Sequence, residues 1–310
     1  MSTFIIKRYH KEHYTVWNNF IDVSKNGTFL FKRDFMEYHS DRFQDFSLLI
    51  FDKKKLIAVF PANIDDANVY SHLGLTYGGL ILEKSIGGEK INNIVTGIIE
   101  FFRSNNITNL YVKSIPVFYH QQPSNEFLFF LSELGAKPYR RDLNLAIDYS
   151  QPLRIHKNKL KHFRKRENIG LEIKEEKDFS VFWNQVLKPR LKEKHNTKPV
   201  HTLEEIHLLK NRFPEAIKQF VIVLENEVLA GITIFKTNDV VKSQYGAVTE
   251  KGEYYRALDF LFISLIEKYK SEGYRFFDMG TVTDGNFGLL KQKEELGCEI
   301  YTQDFYQLTL

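Results

Sequence analysis

Two stretches of the chain, residues 134–148 and 296–310, align without a gap, LGAKPYRRDLNLAID over LGCEIYTQDFYQLTL. Four positions are identical in the same order: Leu134/Leu296, Gly135/Gly297, Tyr139/Tyr301 and Asp142/Asp304. One such match arises by chance, whereas four in register indicate an internal duplication. A duplicated chain is expected to fold into two similar lobes, and this constrains the fold more than any other feature of the sequence.

The rest of the chain repeats the same order of predicted elements. Each half begins with a short strand and a helix that carries Trp-Asn, continues with a hairpin, and then has a long amphipathic helix and a strand. The matching segments are 4–20 with 171–186 (around Trp17 and Trp183), 46–64 with 220–235, and 91–115 with 254–280. We therefore expect tandem α/β lobes at 1–150 and 151–310, each with a mixed, mostly antiparallel sheet flanked by helices.

The composition excludes several classes of protein. An apolar fraction of 43% is enough for a large buried core. Cys298 is the only cysteine, which excludes a disulfide framework and indicates a reducing compartment. No apolar run approaches the length that spans a bilayer, and the N-terminal MSTFIIKRYHKEHY is too polar for a signal peptide. We expect a cytoplasmic protein without a membrane span.

Motifs that would place the chain in other enzyme classes are missing from its sequence. It has no Walker A loop, no G-x-G-x-x-G after a predicted strand and no G-x-S-x-G elbow. It also has no H-E-x-x-H or comparable set of metal ligands, so we expect no metal site and no permanently bound cofactor.

The order of elements within each lobe is that of the GNAT N-acyltransferase fold, and a tandem pair with a basic connecting segment resembles the FemABX family and its relatives in bacterial polysaccharide loci. The C-terminal YRFFDMGTVTDGNFGLLKQKEELGCEIYTQDFYQL is similar to the closing pattern of that family. The matching positions are Asp278, Gly280, Gly288, Leu289, Lys293 and Gly297, and Gln292 stands where the family usually has an aromatic residue.

The resemblance implies direct transfer of an acyl or aminoacyl group within a ternary complex. The donor would be a CoA thioester or an aminoacyl-tRNA. The acceptor would be the amino group of a phosphorylated sugar, carried on a nucleotide or lipid diphosphate, in surface polysaccharide or peptidoglycan synthesis. It also implies tRNA as a partner for some members, peripheral membrane contact at most, and no DNA binding.

Lys293, in the stretch GLLKQKEELG, is the main catalytic candidate. The duplication places Leu131 opposite it, so an apolar residue satisfies the fold in one lobe while a cation stands in the other. We expect Lys293 to face a cleft between the lobes and stabilise an oxyanion, while Lys291 is solvated because residues two apart do not share a helix face. Asp278 is expected to be either a general base or a cap for the turn that follows it.

The basic segment 154–166 holds nine Arg, Lys or His residues and no acid, in a chain whose net charge is only +4. A helix here would bury Leu160 and Phe163 and present cations outward. Three interpretations stay open: a solvated face, a nucleic-acid patch, or a clamp for a phosphorylated substrate. Arg164 and Lys165 are the candidate phosphate ligands, since a guanidinium fork matches phosphate oxygens, and as part of a clamp Arg164 is expected to contact the diphosphate of the acceptor. A non-catalytic nucleic-acid-binding protein that uses this segment is the alternative function.

Other candidate substrate-binding residues lie near predicted strand ends. His72 and Tyr77 belong to the glycine-rich YSHLGLTYGGLIL, and Tyr119 and His120 precede a Pro-Ser turn. We expect these four to wall an acceptor site, with hydrogen-bonded packing as the alternative for the histidines.

In the second half, His201 precedes a predicted capping box formed by Thr202 and Glu205, and we expect it to reach the same site. Gln244 and Tyr245 precede the helix whose first amides would bind a pyrophosphate in a GNAT protein, and they are the remaining substrate-binding candidates.

Overall fold

The computed structural model describes residues 4–166, 169–282 and 285–310. The chain divides into two compact units, residues 1–142 with 302–310 and residues 143–301. We call these the first and the second lobe.

The first lobe is built from short strands and four α-helices among its described residues. The helices are α1 (Tyr14–Val23), α2 (Arg33–Met36), α3 (Gly88–Ser104) and α4 (Glu126–Glu133). The strands are β1 (Ile5–Arg8), β2 (Gln44–Asp45), β3 (Leu48–Asp52), β4 (Lys55–Phe60), β5 (Asn63–Asp65), β6 (Asn68–Tyr70), β7 (Ile81–Leu82), β8 (Asn109–Lys113) and β9 (Lys137–Asp148), the last of which continues into the second lobe.

The second lobe has longer strands. Its helices are α5 (Lys157–Arg166), a π-helical turn at Phe182–Leu187, α6 (Lys188–His195), α7 (Leu203–Arg212), α8 (Glu250–Tyr255), α9 (Ala257–Ser271) and α10 (Phe287–Glu295). Its strands are β10 (Glu172–Glu176), β11 (Ile217–Leu224), β12 (Glu227–Thr237), β13 (Val240–Val248), β14 (Phe276–Val282) and β15 (Glu299–Thr309), which ends in the first lobe.

Each lobe contains mixed, mostly antiparallel sheet. The first lobe has one antiparallel sheet with the strand order β1, β3, β4, β7. A second set of its strands pairs in the order β15, β8, β6, β5, β2, and within this set β6 and β8 are parallel while the other pairs are antiparallel. In the second lobe the order is β10, β11, β12, β13, β14, β9, with one parallel pair, β13 and β14. The predicted fold class is confirmed.

A long amphipathic helix covers the core of each lobe. Helix α3 buries Ile91, Ile94, Val95, Ile98, Ile99 and Phe102, which recur at three- and four-residue spacing and therefore form one apolar stripe. Helix α9 is buried more completely because it packs against β11, β12 and β13. Burying each large aliphatic side chain contributes about 1.5–3 kcal/mol, so these two stripes account for much of the core energy.

Helices α4 and α10 end in the same way. Gly135 and Gly297 adopt left-handed φ values of 98° and 97°. Each glycine N–H donates to the carbonyl three residues earlier in the chain. The N–H of the residue after the glycine donates to the carbonyl five residues before that residue, which is the carbonyl of Leu131 in α4 and of Lys293 in α10. This is the hydrogen-bond pattern of a Schellman cap, which requires glycine at the left-handed position. The aligned Leu-Gly pairs of the sequence therefore build the same turn twice.

Strands β13 and β14 separate soon after they begin. Their parallel pairing covers three residue pairs, ending at Lys242 opposite Asp278, although β13 continues to Val248 and β14 to Val282. Each strand carries a bulge directly after that point, at Gln244 against β12 and at residues 279–280 against β9. Because bulges bend a strand and increase its twist, the two arms form a fork with Lys242 and Asp278 at its base.

Candidate active site

An ion pair closes the base of the fork. The Lys242 Nζ lies 2.9 Å from Oδ2 of Asp278, whose side chain is almost fully buried. The other carboxylate oxygen of Asp278 accepts a 2.7 Å hydrogen bond from the Gly280 N–H. Gly280 adopts φ 78°, a left-handed conformation that glycine reaches without a Cβ clash. Asp278 thus caps the turn that follows it, which is one of the two roles expected for it.

Lys293 reaches the same turn from α10. Its Nζ donates to the backbone carbonyls of Gly280 and Thr281 at 3.0 and 3.1 Å. The Lys293 side chain is 6% exposed, whereas Lys291 is exposed. Lys291 is thus solvated, as expected from the sequence. The expectation that Lys293 faces a cleft between the lobes stays a prediction.

The surroundings of Lys293 make its ammonium unusually easy to deprotonate. Burial, followed by the positive charge of Lys242, lowers its pKa to about 8, although the Asp278 carboxylate opposes this. Two of the three N–H bonds of the ammonium are directed at the carbonyls of the β14 turn. The third can meet an oxyanion, and in a water-poor site such a contact is far stronger than in bulk water.

The β13 arm carries a second polar group, formed by Tyr245 and His201. The Tyr245 hydroxyl lies 2.6 Å from Nδ1 of His201 and 3.3 Å from its backbone N–H. Burial raises the pKa of Tyr245 to about 12, so the phenol keeps its proton near neutral pH. The backbone N–H of His201 donates to the phenol oxygen. We therefore assign the phenol O–H as the donor to Nδ1, and the ring proton of a neutral His201 then lies on Nε2.

The two duplicated tryptophans differ in how their indole N–H groups are satisfied. In the first lobe the Trp17 Nε1 donates to the Phe31 carbonyl at 2.7 Å. In the second lobe Trp183 packs edge-on against Tyr245 with ring centroids 5.1 Å apart, and its buried Nε1 has no hydrogen-bond partner among the described residues. The same holds for the Oε1 of Gln244. Buried polar atoms without a hydrogen bond cost about 1–3 kcal/mol each.

The basic segment forms α5 and packs on α9 as its spacing predicts. Leu160 and Phe163 are half-buried, and Phe163 stacks on Phe260 with ring centroids 4.9 Å apart. Lys159 is buried and pairs with Asp259 in the first turn of α9 at 2.9 Å. The cations that the spacing directs outward are exposed, namely Lys157, Lys161, Arg164 and Lys165. Helix α5 therefore places a cationic face beside the N-terminus of α9.

The first-lobe candidates are mostly inside the protein. His72 is 4% exposed, stacks on His39 with ring centroids 5.1 Å apart, and has a pKa lowered to about 3 by burial and then by neighbouring charge. Tyr77 is buried and donates to the Thr28 hydroxyl at 3.2 Å, and Tyr119 is buried against its ring. His120 is half-buried beside a cavity of about 20 Å³, with a pKa lowered to about 4 chiefly by burial. These environments favour packing, and substrate contact stays a prediction.

Sequence reasoning missed Lys242 and the carbonyl turn at Gly280. The available signal was a lysine within the apolar strand VVKSQYGAV, where a charge needs a buried partner. The partner is 36 residues away in the chain and becomes visible only through the register of β13 with β14. The capping box of Thr202 and Glu205 was predicted and is confirmed, with hydrogen bonds of 2.8 and 3.1 Å.

Comparison with known proteins supports an N-acyltransferase. Residues 153–288 match the family model described as Acetyltransferase (GNAT) domain. The matched residues lie within the second lobe. The N-acyltransferase activity predicted from the sequence is confirmed at this level, and the family match favours an enzyme over the alternative of a non-catalytic nucleic-acid-binding protein.

Solved structures extend the likeness to nearly the whole chain. FemX superposes with a TM-score of 0.72 at 10% identity, covering 99% of this chain and 97% of FemX. L-PGS from Bacillus licheniformis gives a TM-score of 0.62 at 12% identity over 97% of this chain and 92% of its own. A tandem GNAT protein from the clavulanic acid biosynthesis pathway gives 0.56 at 10% identity over 99% and 98%. The predicted FemABX-like, tandem GNAT fold is thereby confirmed. Comparison with curated protein sequences finds no match.

Two further properties hold for the described residues alone. No helix among them has both the length and the apolar character that crossing a bilayer requires. Nor do His, Cys, Asp and Glu side chains within residues 4–166, 169–282 and 285–310 gather in groups of three or more that would hold a metal ion.

Proposed function

We propose that the enzyme transfers an acyl or aminoacyl group to the amino group of a phosphorylated sugar used in cell-surface polysaccharide or peptidoglycan synthesis. One observation carries the proposal. In the second lobe, the β13–β14 fork has a buried ammonium, that of Lys293, bonded to the turn where the strands separate. A fixed positive group at such a point suits a reaction whose transition state develops an oxyanion.

The reaction is a direct displacement at the carbonyl carbon of the donor. The acceptor nitrogen forms the new C–N bond, the carbonyl oxygen becomes an oxyanion held by Lys293, and the C–S or C–O bond to the leaving group then breaks. The proton lost by the amine passes through water to the departing thiolate or alkoxide. Both oxygens of Asp278 are already bonded, to Lys242 and to the Gly280 N–H. Asp278 is therefore a positioning residue that holds the turn and its carbonyls toward Lys293.

The donor lies along α9 in this proposal. Acyl-CoA is the donor class that the GNAT domain indicates, and aminoacyl-tRNA is the alternative. Both carry phosphates, which the exposed N–H groups at the start of a helix attract. Helix α5 presents Arg164 and Lys165 beside the first turn of α9. This position favours contact with the donor phosphates over the acceptor contact expected from the sequence.

The test is acyl transfer with defined substrates. The purified chain is incubated with acetyl-CoA or with aminoacyl-tRNA and a nucleoside-diphosphate amino sugar, and mass spectrometry detects a new amide. The same sugar with its nitrogen already acetylated is the control acceptor. Amide formation on the free amine alone supports the proposal, and absence of transfer from both donors overturns it.

A further inference from the structure

Asn144 shares one face of the β9–β14 pair with the carboxylate at the base of the fork. Strand β9 runs antiparallel to β14, with Ala146 opposite Asp278 and Asn144 opposite Thr281. Leu145, between these two β9 residues, points the other way and belongs to the apolar core of the second lobe. Because residues two apart on a strand share a face, Asn144 lies on the same face as Ala146 and its partner Asp278.

Asn144 is also next to the turn that Lys293 binds. Its strand partner Thr281 supplies one of the two carbonyls that accept hydrogen bonds from the Lys293 ammonium, and Gly280 supplies the other. Residues paired across antiparallel strands have Cα atoms about 4.5–5.5 Å apart. Thr281 is exposed, so a substrate reaches this end of the face from solvent.

The amide of Asn144 has an acceptor that the protein leaves unused. The residue is 3% exposed, and its Oδ1 is buried without a hydrogen-bond partner among the described residues. On the same face, by contrast, both oxygens of Asp278 are bonded, and the Lys242 ammonium is paired with one of them. The Asn144 oxygen is therefore an acceptor for a donor group that a ligand brings.

The first lobe has aromatic rings at the corresponding positions. Its parallel strands β6 and β8 also pair over three residues and end at Tyr70 opposite Tyr111, where the second lobe has its ion pair. These two rings stack with centroids 4.9 Å apart. Phe305 stands two residues before the β15 partner of Tyr111, as Asn144 stands two residues before the β9 partner of Asp278. Phe305 is buried, so the fold accepts an apolar ring where the second lobe has an amide.

An amide oxygen beside the Lys293 ammonium suits the two charges that develop in the proposed reaction. The lone pair of the acceptor nitrogen forms the C–N bond, and the carbonyl electron pair moves to oxygen. The oxygen becomes negative and is met by Lys293, while the nitrogen becomes positive and still carries its hydrogens. A hydrogen bond from that nitrogen to a neutral amide oxygen becomes charge-assisted, and therefore stronger, as the transition state is approached.

We propose that Asn144 is a catalytic residue whose Oδ1 accepts a hydrogen bond from the attacking amino group. This inference rests on the proposed function and deepens it, because it names the residue that holds the nucleophile. Asn144 does not remove the proton, since a carboxamide does not titrate near neutral pH. The proton passes to water and then to the leaving group, which also takes the electron pair of the broken C–S or C–O bond.

The same contact favours an amino group over a hydroxyl group as acceptor. A primary amine keeps a hydrogen on its nucleophilic atom from the bound state to the amide product, so the bond to Asn144 is retained throughout. A hydroxyl group has one hydrogen on its nucleophilic atom and loses it in the reaction. Asn144 would then face an ester oxygen, which has no hydrogen to donate.

The test compares Asn144→Leu with Gln219→Leu, a matched control in the same lobe. Gln219 is also buried, but its amide accepts from the Thr233 hydroxyl at 2.7 Å and donates to the Phe220 carbonyl at 2.9 Å. Kinetics with a nucleoside-diphosphate amino sugar and whichever donor the wild type uses gives kcat and KM, and thermal denaturation gives Tm. A third variant, Asn144→Asp, keeps an oxygen acceptor at the same place.

We expect Asn144→Leu to lower kcat at least about tenfold, as loss of one charge-assisted contact in the transition state implies, with the donor KM unchanged. Its Tm should not fall, because leucine replaces an amide oxygen that no protein group bonds. Gln219→Leu should show the reverse, a lower Tm with the kcat of the wild type. Asn144→Asp should be faster than Asn144→Leu.

A wild-type kcat in Asn144→Leu would overturn the proposal. A Tm that falls in Asn144→Leu as far as in Gln219→Leu, with no recovery of kcat in Asn144→Asp, would also overturn it, because the amide would then be a structural part of the sheet. Failure of the proposed function is a distinct result. A wild type that forms no amide with either donor refutes the reaction itself, whereas a wild type that transfers acyl groups no faster than Asn144→Leu refutes only the role of Asn144.

Discussion

Leu131 and Lys293 occupy the same position of two copies of one turn. Each lies at the end of a helix whose next residues form a Schellman cap on a left-handed glycine, and each carbonyl accepts the same 3.1 Å hydrogen bond. Leu131 is 1% exposed in the apolar core of the first lobe, and Lys293 is 6% exposed in the second. Packing alone is satisfied by leucine here. The lysine is therefore explained by the polar turn that it bonds in β14.

Substitution of Lys293 should separate catalysis from packing. Lys293→Met keeps most of the buried volume and removes the charge, so we expect kcat to fall roughly 100-fold or more with little change in KM. Lys291→Met, at an exposed position of the same helix, is the control and should be nearly silent. Steady-state kinetics with circular dichroism measures both. Equal activity of the two folded variants would leave Lys293 a purely structural lysine.

Asp278→Asn should shift the pH dependence of the reaction. Burial and the charge of Lys242 lower the pKa of Lys293 to about 8, and the Asp278 carboxylate opposes them by raising it. Replacing that carboxylate with a neutral amide must therefore lower the pKa of Lys293 below about 8. If the protonated ammonium is the active form, the alkaline decline of kcat should begin at lower pH in the variant. The same substitution should cost about 3–5 kcal/mol of unfolding free energy, because Lys242 loses its buried partner. A pH–rate profile that does not move, in a variant that still folds, contradicts the assigned role.

Arg164→Ala should weaken binding of a phosphate-bearing substrate without affecting the fold. Losing one charged contact costs about 1.5–3 kcal/mol, which corresponds to a KM increase of about tenfold or more for the substrate concerned. We expect that substrate to be the donor, and the effect to diminish at high salt. Arg103→Ala, at an exposed position of α3 in the first lobe, is the control. An increase confined to the acceptor KM would instead return Arg164 to the role expected from the sequence.

The stacked histidines of the first lobe should make the protein sensitive to acid. Burial lowers the pKa of His39 to about 4 and that of His72 to about 3, below the ordinary value of 6.5. Between these values and 6.5 the unfolded chain binds more protons, so unfolding free energy should fall as the pH falls. Each histidine contributes a slope of about 1.4 kcal/mol per pH unit within that window.

His72→Asn tests this slope. It removes one titrating group, and asparagine tolerates the left-handed φ of 76° found at this position. Urea unfolding between pH 4.5 and 6.5 should show a shallower pH dependence in the variant. An unchanged slope would mean that His72 is protonated in the folded protein as readily as in the unfolded chain.

Local features of the chain were predictable from short stretches of sequence. The duplicated Leu-Gly turn, the apolar face of α5 with Leu160 and Phe163, the capping box at Thr202 and the opposite exposure of Lys291 and Lys293 all depend on residues within about two helical turns. At that range the spacing of side chains decides which face is buried. Lys293 and Asp278 were predicted as candidate catalytic residues from the same kind of local pattern, because the C-terminal stretch resembles the closing pattern of the FemABX family.

The arrangement around those residues was decided only by the tertiary structure. Lys242 meets Asp278 across 36 residues, and Tyr245 meets His201 across 44. Both contacts depend on the register of β13 with its neighbours, and a shift of one residue would turn every side chain to the opposite face. The bulges at Gln244 and Gly280 change that register locally. By itself the sequence determined which residues carry charge and which helix faces are apolar, whereas the pairing of distant strands determined which charges meet.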